Sequence, residues 1–207
     1  MKSIVNVNKS WGIGRDGDLL INIPEDMKFF RNTTAGGVVI MGRKTLESFP
    51  GAKPLKGRVN VVLTRDAARI PKASIEAADE YIAELNNKES IDRFLKLCNQ
   101  VLSHRDAPIA ERPTVLAVTD SAEHIARLCD TINDANVYVI GGSSIYEQML
   151  QYCDECIVTI NDSGRKADSF FPNLDKFPEW EHSEVGELKE HEDIHYHFDT
   201  YTRKGRD

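Results

Sequence analysis

The sequence predicts an α/β fold of three layers, in which helices cover both faces of a mostly parallel central sheet. Three observations indicate this class: short apolar runs rich in β-branched residues, helical segments between them, and a final run that alternates polar with apolar residues. A strand that is apolar throughout has no polar face to expose to solvent, as is typical of parallel strands buried on both faces of a sheet. The alternation of strands with helices implies crossover connections between parallel strands.

Seven strands and four helices are predicted in chain order. The strands cover residues 3–8, 37–41, 59–64, 114–119, 137–140, 156–161 and 194–202. The helices cover residues 24–34, 43–49, 122–132 and 143–151. The last strand follows no crossover helix and alternates in polarity, so we expect it to run antiparallel at an edge of the sheet.

Residues 67–112 depart from this alternation. They contain two helical patterns, at about 75–86 and 90–103, and no pattern typical of a strand. We expect a helical insertion within one domain that spans residues 1–207, because a chain of this length suits a single core. The mixed charges of the insertion are typical of a solvated face.

The composition excludes several classes of partner. The formal charge is −7, and no run of Lys and Arg is long enough for the basic face that nucleic acids or anionic membranes need. Polar residues interrupt the first apolar run, which argues against a signal peptide, and no segment is apolar enough for a transmembrane helix. We therefore expect a cytoplasmic protein that acts on a small molecule.

Neither the cysteines nor the histidines indicate a metal site. The cysteines are too few and too irregularly spaced for a disulfide framework and are expected to be free thiols; they are Cys98, Cys129, Cys153 and Cys156. The last two form a CxxC pair, which leaves a redox or zinc site open. No second pair accompanies it and it precedes a strand, which favours simple packing. The histidines near the last strand lack a further convergent ligand; they are His191, His195 and His197.

Three predicted strands end in residues suited to bind phosphate. Gly42-Arg43-Lys44-Thr45 follows one strand, Gly141-Gly142-Ser143-Ser144 follows a second, and Thr64-Arg65 follows a third. At the first two, a helix begins after the glycines, so its first N–H groups favour an anion, and the two serines are natural N-caps. The alternative is that the glycines only permit tight turns. Three such ends at one sheet edge indicate a dinucleotide with an extra phosphate, although the GxGxxG motif is absent.

The segment INIPEDMKFF, residues 21–30, supplies a candidate chemical group. Pro24 suits the first position of a helix, which puts Asp26 at about the third position and turns Met27 and Phe30 to the apolar side. The helix N-terminus lowers the pKa of this carboxyl while apolar surroundings raise it, so the net direction stays open. The alternative is an acid that merely compensates the helix dipole.

Six segments, in order along the chain, carry a resemblance to a known family. They are WGIG at 11–14, IPEDMKFF at 23–30, VVIMGRKTLESFP at 38–50, PLKGRVNVVLTR at 54–65, VIGGSSIYEQML at 139–150 and ADSFFP at 167–172. On these segments the chain resembles the dihydrofolate reductases. The resemblance implies an eight-stranded, mostly parallel sheet with a small adenosine-binding subdomain. It also implies NADPH-dependent reduction of 7,8-dihydrofolate to tetrahydrofolate, with hydride transfer to C6 and protonation at N5.

The resemblance assigns catalytic and substrate-binding residues. Asp26 would accept hydrogen bonds from the pterin 2-amino group and N3 and would favour protonation at N5 electrostatically. Thr159 would bind the carboxylate and a pterin-bound water, and Tyr146 would lie beside the nicotinamide. Arg58 would hold the α-carboxylate of the glutamate tail with its planar guanidinium. The pocket walls would be Val5, Met27, Phe30, Phe49, Leu55 and Ile140.

At the nicotinamide end of the cofactor, the resemblance implies contacts from two backbone segments. Asn6 and Ile13 would offer backbone groups to the carboxamide. Residues 12–20, which include Gly14, match a mobile loop that closes over the nicotinamide. Asp168 matches a residue that can hydrogen-bond this loop, although a polar turn residue explains it equally well.

At the phosphate end, the resemblance implies that the glycine-rich strand ends hold the cofactor. Its phosphates would contact Gly42, Arg43, Lys44, Thr45, Gly141, Gly142, Ser143, Ser144 and Ile145. The two adjacent glycines resemble the strained, cis-linked pair of the family. Leu63 and Thr64 would flank the adenosine, and Arg65 would contact the 2′-phosphate and so specify NADPH.

Three residues depart from the family pattern. Ile21 stands where tryptophan is common, so the indole that helps to order a water near the carboxylate in the family is missing here. Asn6 stands where a small alanine is usual, which re-polarises or crowds the pocket. Ser143 replaces a third glycine.

Two other functions remain open alongside dihydrofolate reduction. One is a related NADPH-dependent pteridine or pyrimidine reductase, for which a grip on a dicarboxylate tail by Arg58 would have no use. The other is a catalytically idle module that binds folate or a nucleotide. For the leading function we expect a monomer that takes dihydrofolate and antifolate inhibitors and no macromolecular partner.

Overall fold

The computed structural model describes residues 1–132 and 136–205. The strands are β1 (Lys2–Asn8), β2 (Gly12–Arg15), β3 (Asp18–Leu19), β4 (Val38–Gly42), β5 (Val59–Leu63), β6 (Glu80–Ile82), β7 (Val115–Thr119), β8 (Val137–Gly141), β9 (Glu155–Asn161), β10 (Ser169–Phe170), β11 (Trp180–Glu184), β12 (Lys189–His191) and β13 (Ile194–Arg203). The helices are α1 (Pro24–Thr33), α2 (Arg43–Ser48), α3 (Lys72–Glu76), α4 (Lys88–Ser103), α5 (Ala122–Thr131) and α6 (Ser143–Met149).

Ten of these strands form one central sheet, in the order β11-β13-β9-β1-β8-β4-β5-β7-β6, with β12 paired to β13. The pairs from β9 to β6 are parallel. Strand β13 runs antiparallel to β9, β11 and β12. A separate three-stranded sheet has the order β10-β2-β3.

The predicted fold class is confirmed, including the antiparallel last strand. Each predicted strand is present with its ends moved by at most two residues. The described part of the central sheet has ten strands, however, where the resemblance implied eight. Short strands such as β6 and β12, each three residues long, carry too few side chains for a periodic sequence signal.

The prediction that residues 67–112 contain no strand is wrong, and so is the predicted helix at 75–86. Helix α3 ends at Glu76, and β6 then pairs in parallel with β7 at the edge of the central sheet. The predicted helix at 90–103 is confirmed as α4, which begins two residues earlier because Asn87 and Ser90 form a capping box. Its buried face, which includes Phe94 and Cys98, packs into the main core.

The core lies on both faces of the central sheet. Successive residues of β4 point to opposite faces, so Val38 and Ile40 join one buried cluster while Val39 and Met41 join the other. This is why the strand is apolar throughout. Each fully buried side chain of this kind contributes about 1.5–3 kcal/mol to folding.

The four cysteines are buried thiols, and burial raises the pKa of the Cys156 thiol well above its usual range. Across residues 1–132 and 136–205, no group of three or more His, Cys, Asp and Glu side chains could hold a metal ion. In the same ranges, no helix is both long and apolar enough to cross a membrane.

Candidate active site

The two strand-glycine-helix connections lie side by side at the carboxyl edge of the sheet. Strands β4 and β8 are neighbours, with Met41 opposite Gly141. A Cβ added to Gly42 would lie 3.0 Å from Ile145 Cγ1, so the two connections touch. A Cβ added to Gly142 would meet Thr45 Oγ1 at 3.6 Å, within ordinary contact distance. The predicted convergence of these glycines is therefore confirmed.

The Gly141–Gly142 peptide bond is cis, as the resemblance implied. Gly141 has a φ of +110°, and a Cβ there would lie 2.9 Å from the ring of Tyr146. The Tyr146 ring is buried, its hydroxyl donates to the carbonyl of Ile4 at 2.8 Å, and burial raises its pKa far above the usual range. Residue 141 must therefore be glycine for two reasons: its φ is positive, and a side chain would collide with the Tyr146 ring.

The expectation that serine caps helix α6 is wrong. Gly142 occupies the N-cap position and supplies no side chain. The hydroxyl of Ser143 instead accepts a hydrogen bond from the backbone N–H of Phe170 at 3.1 Å, which ties this helix to β10. Ser144 is exposed at the start of the helix.

Basic side chains lie around the same edge. Strand β5 places Leu63 opposite Gly42, and Thr64 and Arg65 follow directly. Lys44 and Arg65 are exposed, while Arg43 forms an ion pair with Glu47 one turn further along α2. The structure therefore brings the predicted phosphate-binding groups of three strands together.

A half-buried carboxylate, Asp26, lies against strands β1 and β9. Pro24 begins α1, which puts Asp26 at the third helical position, as predicted. Thr159 Oγ1 donates to Asp26 Oδ1 at 2.6 Å, and Asn6 Nδ2 donates to Asp26 Oδ2 at 2.9 Å. Asn6 and Thr159 are register partners on the parallel strands β1 and β9, so two neighbouring strands supply one donor to each carboxylate oxygen.

The two acids at the start of α1 have different electrostatic environments. Burial raises the pKa of Asp26, and the hydrogen bonds from Asn6 and Thr159 offset only part of that effect. Glu25 is exposed and binds Lys189 and the hydroxyl of Tyr196, which lower its pKa. Glu25 therefore forms an ion pair with Lys189 at the surface. Asp26, by contrast, is a partly desolvated carboxylate whose two hydrogen-bond partners are neutral.

Most of the predicted pocket walls lie on the Asp26 side of the sheet. Ile140 belongs to the buried cluster on this face, and Phe30, Phe49 and Leu55 pack against that cluster. Met27 is 41% exposed on α1. The side chain of Val5 is the exception.

Val5 belongs to the cluster on the opposite face, together with Val7. The prediction that its side chain forms a pocket wall is wrong, because alternate residues of a strand face opposite ways and Asn6 takes the pocket-facing position.

Arg58 is 4% exposed and lies beneath the loop after α1. Its Nε donates to the carbonyl and hydroxyl of Thr34, and its Nη atoms donate to the carbonyls of Lys56 and Arg31 at 2.8 and 2.7 Å. Burial, followed by the charges of Arg112 and Arg31, lowers its pKa to about 10, so it stays charged at neutral pH. Among the described residues, these bonds leave one N–H on each Nη atom.

Residues 12–20 dock on the segment that precedes β10. The backbone N–H of Asp16 donates to Asp168 Oδ2 at 2.8 Å, and the N–H of Asp168 donates to the carbonyl of Gly14 at 3.1 Å. A Cβ on Gly12 would lie 2.4 Å from Ala167 Cβ, so the two segments are in direct contact there. Of the two roles left open for Asp168, the structure shows the hydrogen bond to the loop. Ile13 packs against the core next to these glycines.

Asn161 is a site residue that sequence reasoning missed. Its Nδ2 donates to Asn6 Oδ1 at 2.7 Å, which links it to Asp26. The available signal was its position two residues after Thr159, because residues at that spacing share one face of a strand.

A model of the family described as dihydrofolate reductase matches residues 1–95 and 88–203 of this chain. The chain belongs to the dihydrofolate reductase family. The rat dihydrofolate reductase is 30% identical over 220 residues, covering 99% of this chain and 97% of that protein. Dihydrofolate reductase HdrB of Haloferax volcanii is 30% identical over 194 residues, covering 93% of this chain and 77% of that protein.

The family also includes fused relatives and solved structures. The bifunctional dihydrofolate reductase-thymidylate synthase of carrot, Daucus carota, is 33% identical over 212 residues; the match covers 97% of this chain but only 33% of that protein. A structure of the Enterococcus faecalis dihydrofolate reductase, complexed with NADP(H) and RAB-propyl, superposes with a TM-score of 0.64 at 23% identity. It covers 98% of this chain and 95% of the other, which supports the same fold.

Proposed function

We propose that this chain reduces 7,8-dihydrofolate to 5,6,7,8-tetrahydrofolate with NADPH. The observation that carries the proposal is the half-buried Asp26 carboxylate, which accepts hydrogen bonds from Thr159 and Asn6 on the face walled by Ile140 and Phe30. A carboxylate in an apolar pocket suits a heterocycle that presents two adjacent N–H donors, as the pterin 2-amino group and N3 do.

The residues at the carboxyl edge fit NADPH. A Cβ on Gly142 would meet only Thr45 Oγ1 within 4 Å, and Arg65 offers an exposed cation to a 2′-phosphate. Lys44 and the backbone of the two connections would hold the pyrophosphate. When bound, NADPH supplies the hydride that reduces C6 of the pterin.

The residues of the chain control the proton and the position of the substrate. Asp26 carries negative charge in a low-dielectric pocket, where it favours the transition state in which N5 of the pterin is protonated. Thr159 holds one carboxylate oxygen in place. The two remaining N–H groups of Arg58 suit the α-carboxylate of the glutamate tail, which would fix the substrate at its far end. Asp168 holds the 12–20 loop over the nicotinamide end and limits the entry of water.

The same site supports two further proposals. Antifolates that contain a 2,4-diaminopyrimidine would donate two N–H groups to Asp26 and compete with dihydrofolate. We propose a monomer, because every residue assigned to the site lies in one chain, and we propose the cytoplasm as its location.

The test is a steady-state assay of NADPH consumption by the purified protein with dihydrofolate, with tetrahydrofolate identified as the product. Parallel assays replace dihydrofolate with a tail-less dihydropterin and with an aminopyrimidine ribityl substrate. We expect turnover to be fastest with dihydrofolate. Faster turnover of the pyrimidine substrate would assign the chain to a different reaction, and NADPH binding without any turnover would leave a binding function.

A further inference from the structure

The side chain of Asn6 lies between two polar side chains and joins them. Its Nδ2 donates to Asp26 Oδ2 at 2.9 Å, and its Oδ1 accepts from Asn161 Nδ2 at 2.7 Å. The three residues form a continuous chain of hydrogen bonds that ends on the carboxylate. An amide has a donor end and an acceptor end, so its orientation decides what the carboxylate receives.

Backbone groups set the orientation of the Asn6 amide indirectly, through the side chain of Asn161. Asn161 Nδ2 donates to the carbonyl of Val7 at 2.9 Å, and Asn161 Oδ1 accepts from the N–H of Ser163 at 3.0 Å. Because a backbone carbonyl cannot donate and a backbone N–H cannot accept, only one of the two amide orientations of Asn161 satisfies both. Its nitrogen must face Asn6, whose oxygen must then face Asn161 and whose nitrogen must face Asp26.

This directed chain disfavours a proton on Oδ2 of the Asp26 carboxyl group. A proton on Asp26 Oδ2 would face the N–H of Asn6, whereas an ionised carboxylate accepts that N–H and the hydroxyl of Thr159 together. We propose that Asn6 is a positioning residue for Asp26: oriented by Asn161, its amide holds the carboxylate ionised and in a single orientation. One further acceptor site then remains on each oxygen for a substrate with two N–H donors; the identity of that substrate rests on the proposed function.

The other titratable groups around Asp26 keep their charge state at neutral pH. Tyr146 and Tyr196 both interact electrostatically with Asp26, and both have a raised pKa, to about 12 for Tyr196, so they stay uncharged. Glu25 is adjacent on α1 and is held ionised by Lys189. None of these groups changes charge at neutral pH.

The test is a titration of the Asp26 carboxyl carbon by NMR in the full-length protein without ligand. The signal is assigned from its loss in Asp26→Asn, and the parent is compared with Asn6→Leu and Asn8→Leu. Asn8 lies on the same strand and its amide is bonded as well, but to the carbonyl of Arg165 and to the N–H of Gly12. It is therefore a matched control for the loss of an amide from β1.

We expect Asn6→Leu to shift the Asp26 titration to higher pH while Asn8→Leu leaves it unchanged. Asn161→Ala should shift it in the same direction by a smaller amount, because the Asn6 amide is then free to turn. No shift in Asn6→Leu, or an equal shift in Asn8→Leu, would overturn the proposal. Asn6→Ala is subject to the same criteria and replaces Asn6→Leu if that variant does not fold.

A second readout uses turnover. If the chain reduces dihydrofolate, the pH profile of kcat/KM in Asn6→Leu should move with the NMR titration. The titration does not require activity, so an inactive parent would refute the proposed function without deciding the role of Asn6.

Discussion

Thr159 and Asp26 are 133 residues apart in sequence, and the Thr159 hydroxyl donates a 2.6 Å hydrogen bond to the Asp26 carboxylate. The bond joins the middle of β9 to the first turn of α1. This bond can form only because α1 packs across β1 and β9. Asn6 is the register partner of Thr159, and it makes the second hydrogen bond to the same carboxylate. The site is therefore a direct product of the strand order.

The first prediction concerns stability. Burial raises the folded-state pKa of Asp26 above its ordinary value of 3.8, so the ionised carboxylate opposes folding. Asp26→Asn should therefore raise the melting temperature at neutral pH. The stability that Asp26 offers is complete below pH 3.8 and is lost as pH rises through the folded pKa, so the difference between parent and variant should grow across that window. Thermal melts from acidic to neutral pH measure it, and a variant less stable than the parent at pH 7 would contradict it.

The second prediction concerns Arg58. Lysine cannot reproduce a planar fork, so Arg58→Lys should raise KM for dihydrofolate by roughly tenfold or more, the worth of a hydrogen bond between charged groups. The KM for a dihydropterin without the glutamate tail should not change in the same variant. Steady-state kinetics with the two substrates provide the comparison. An equal rise for both would show that Arg58 acts through the fold.

The third prediction concerns the glycine pair. Gly141→Ala should destabilise the protein by about 1–3 kcal/mol, because φ is +110° there and the new Cβ would lie 2.9 Å from the Tyr146 ring. Gly164→Ala is the matched control, since an added Cβ meets nothing within 4 Å there. Chemical denaturation gives both free energies of unfolding. Similar values for the two variants would refute the packing argument.

The fourth prediction concerns the loop at 12–20. Asp168→Ala removes the carboxylate that accepts a hydrogen bond from the Asp16 N–H. In the parent, this hydrogen bond is the main cause of the lowered pKa of Asp168. We expect a loss of NADPH affinity of about two- to tenfold, the range for one net hydrogen bond. The melting temperature should change little, because Asp168 is exposed. Asp92→Ala, an exposed acid on α4, is the control, and an equal loss in both variants would count against the docked loop.

The long, regular elements could be predicted from sequence because each carries a periodic signal. Apolar runs such as residues 38–41 are buried on both faces, and α4 has a capped start and a buried stripe. The strand β6 could not be found, since three residues carry no period and Tyr81 and Ile82 also fit a helical pattern. Its place is decided by pairing with β7, which is a tertiary effect.

Site residues could be predicted from the sequence where few other roles explain that residue type at that position. Asp26 and the glycine connections are of this kind. The face on which Val5 points depends on the exact strand register, and the side chain of Asn6 took the pocket position instead. The sequence indicated that Asn6 changes the polarity of the pocket, but only the structure shows that it donates to Asp26.

The most direct test of the account is a single turnover of dihydrofolate by parent and Asp26→Asn, each saturated with NADPH. The account predicts rapid reduction by the parent and a rate lower by roughly a hundredfold or more in the variant, the scale of a lost proton-transfer contribution, with NADPH affinity unchanged. Equal rates would show that the Asp26 carboxylate does not act in the reaction.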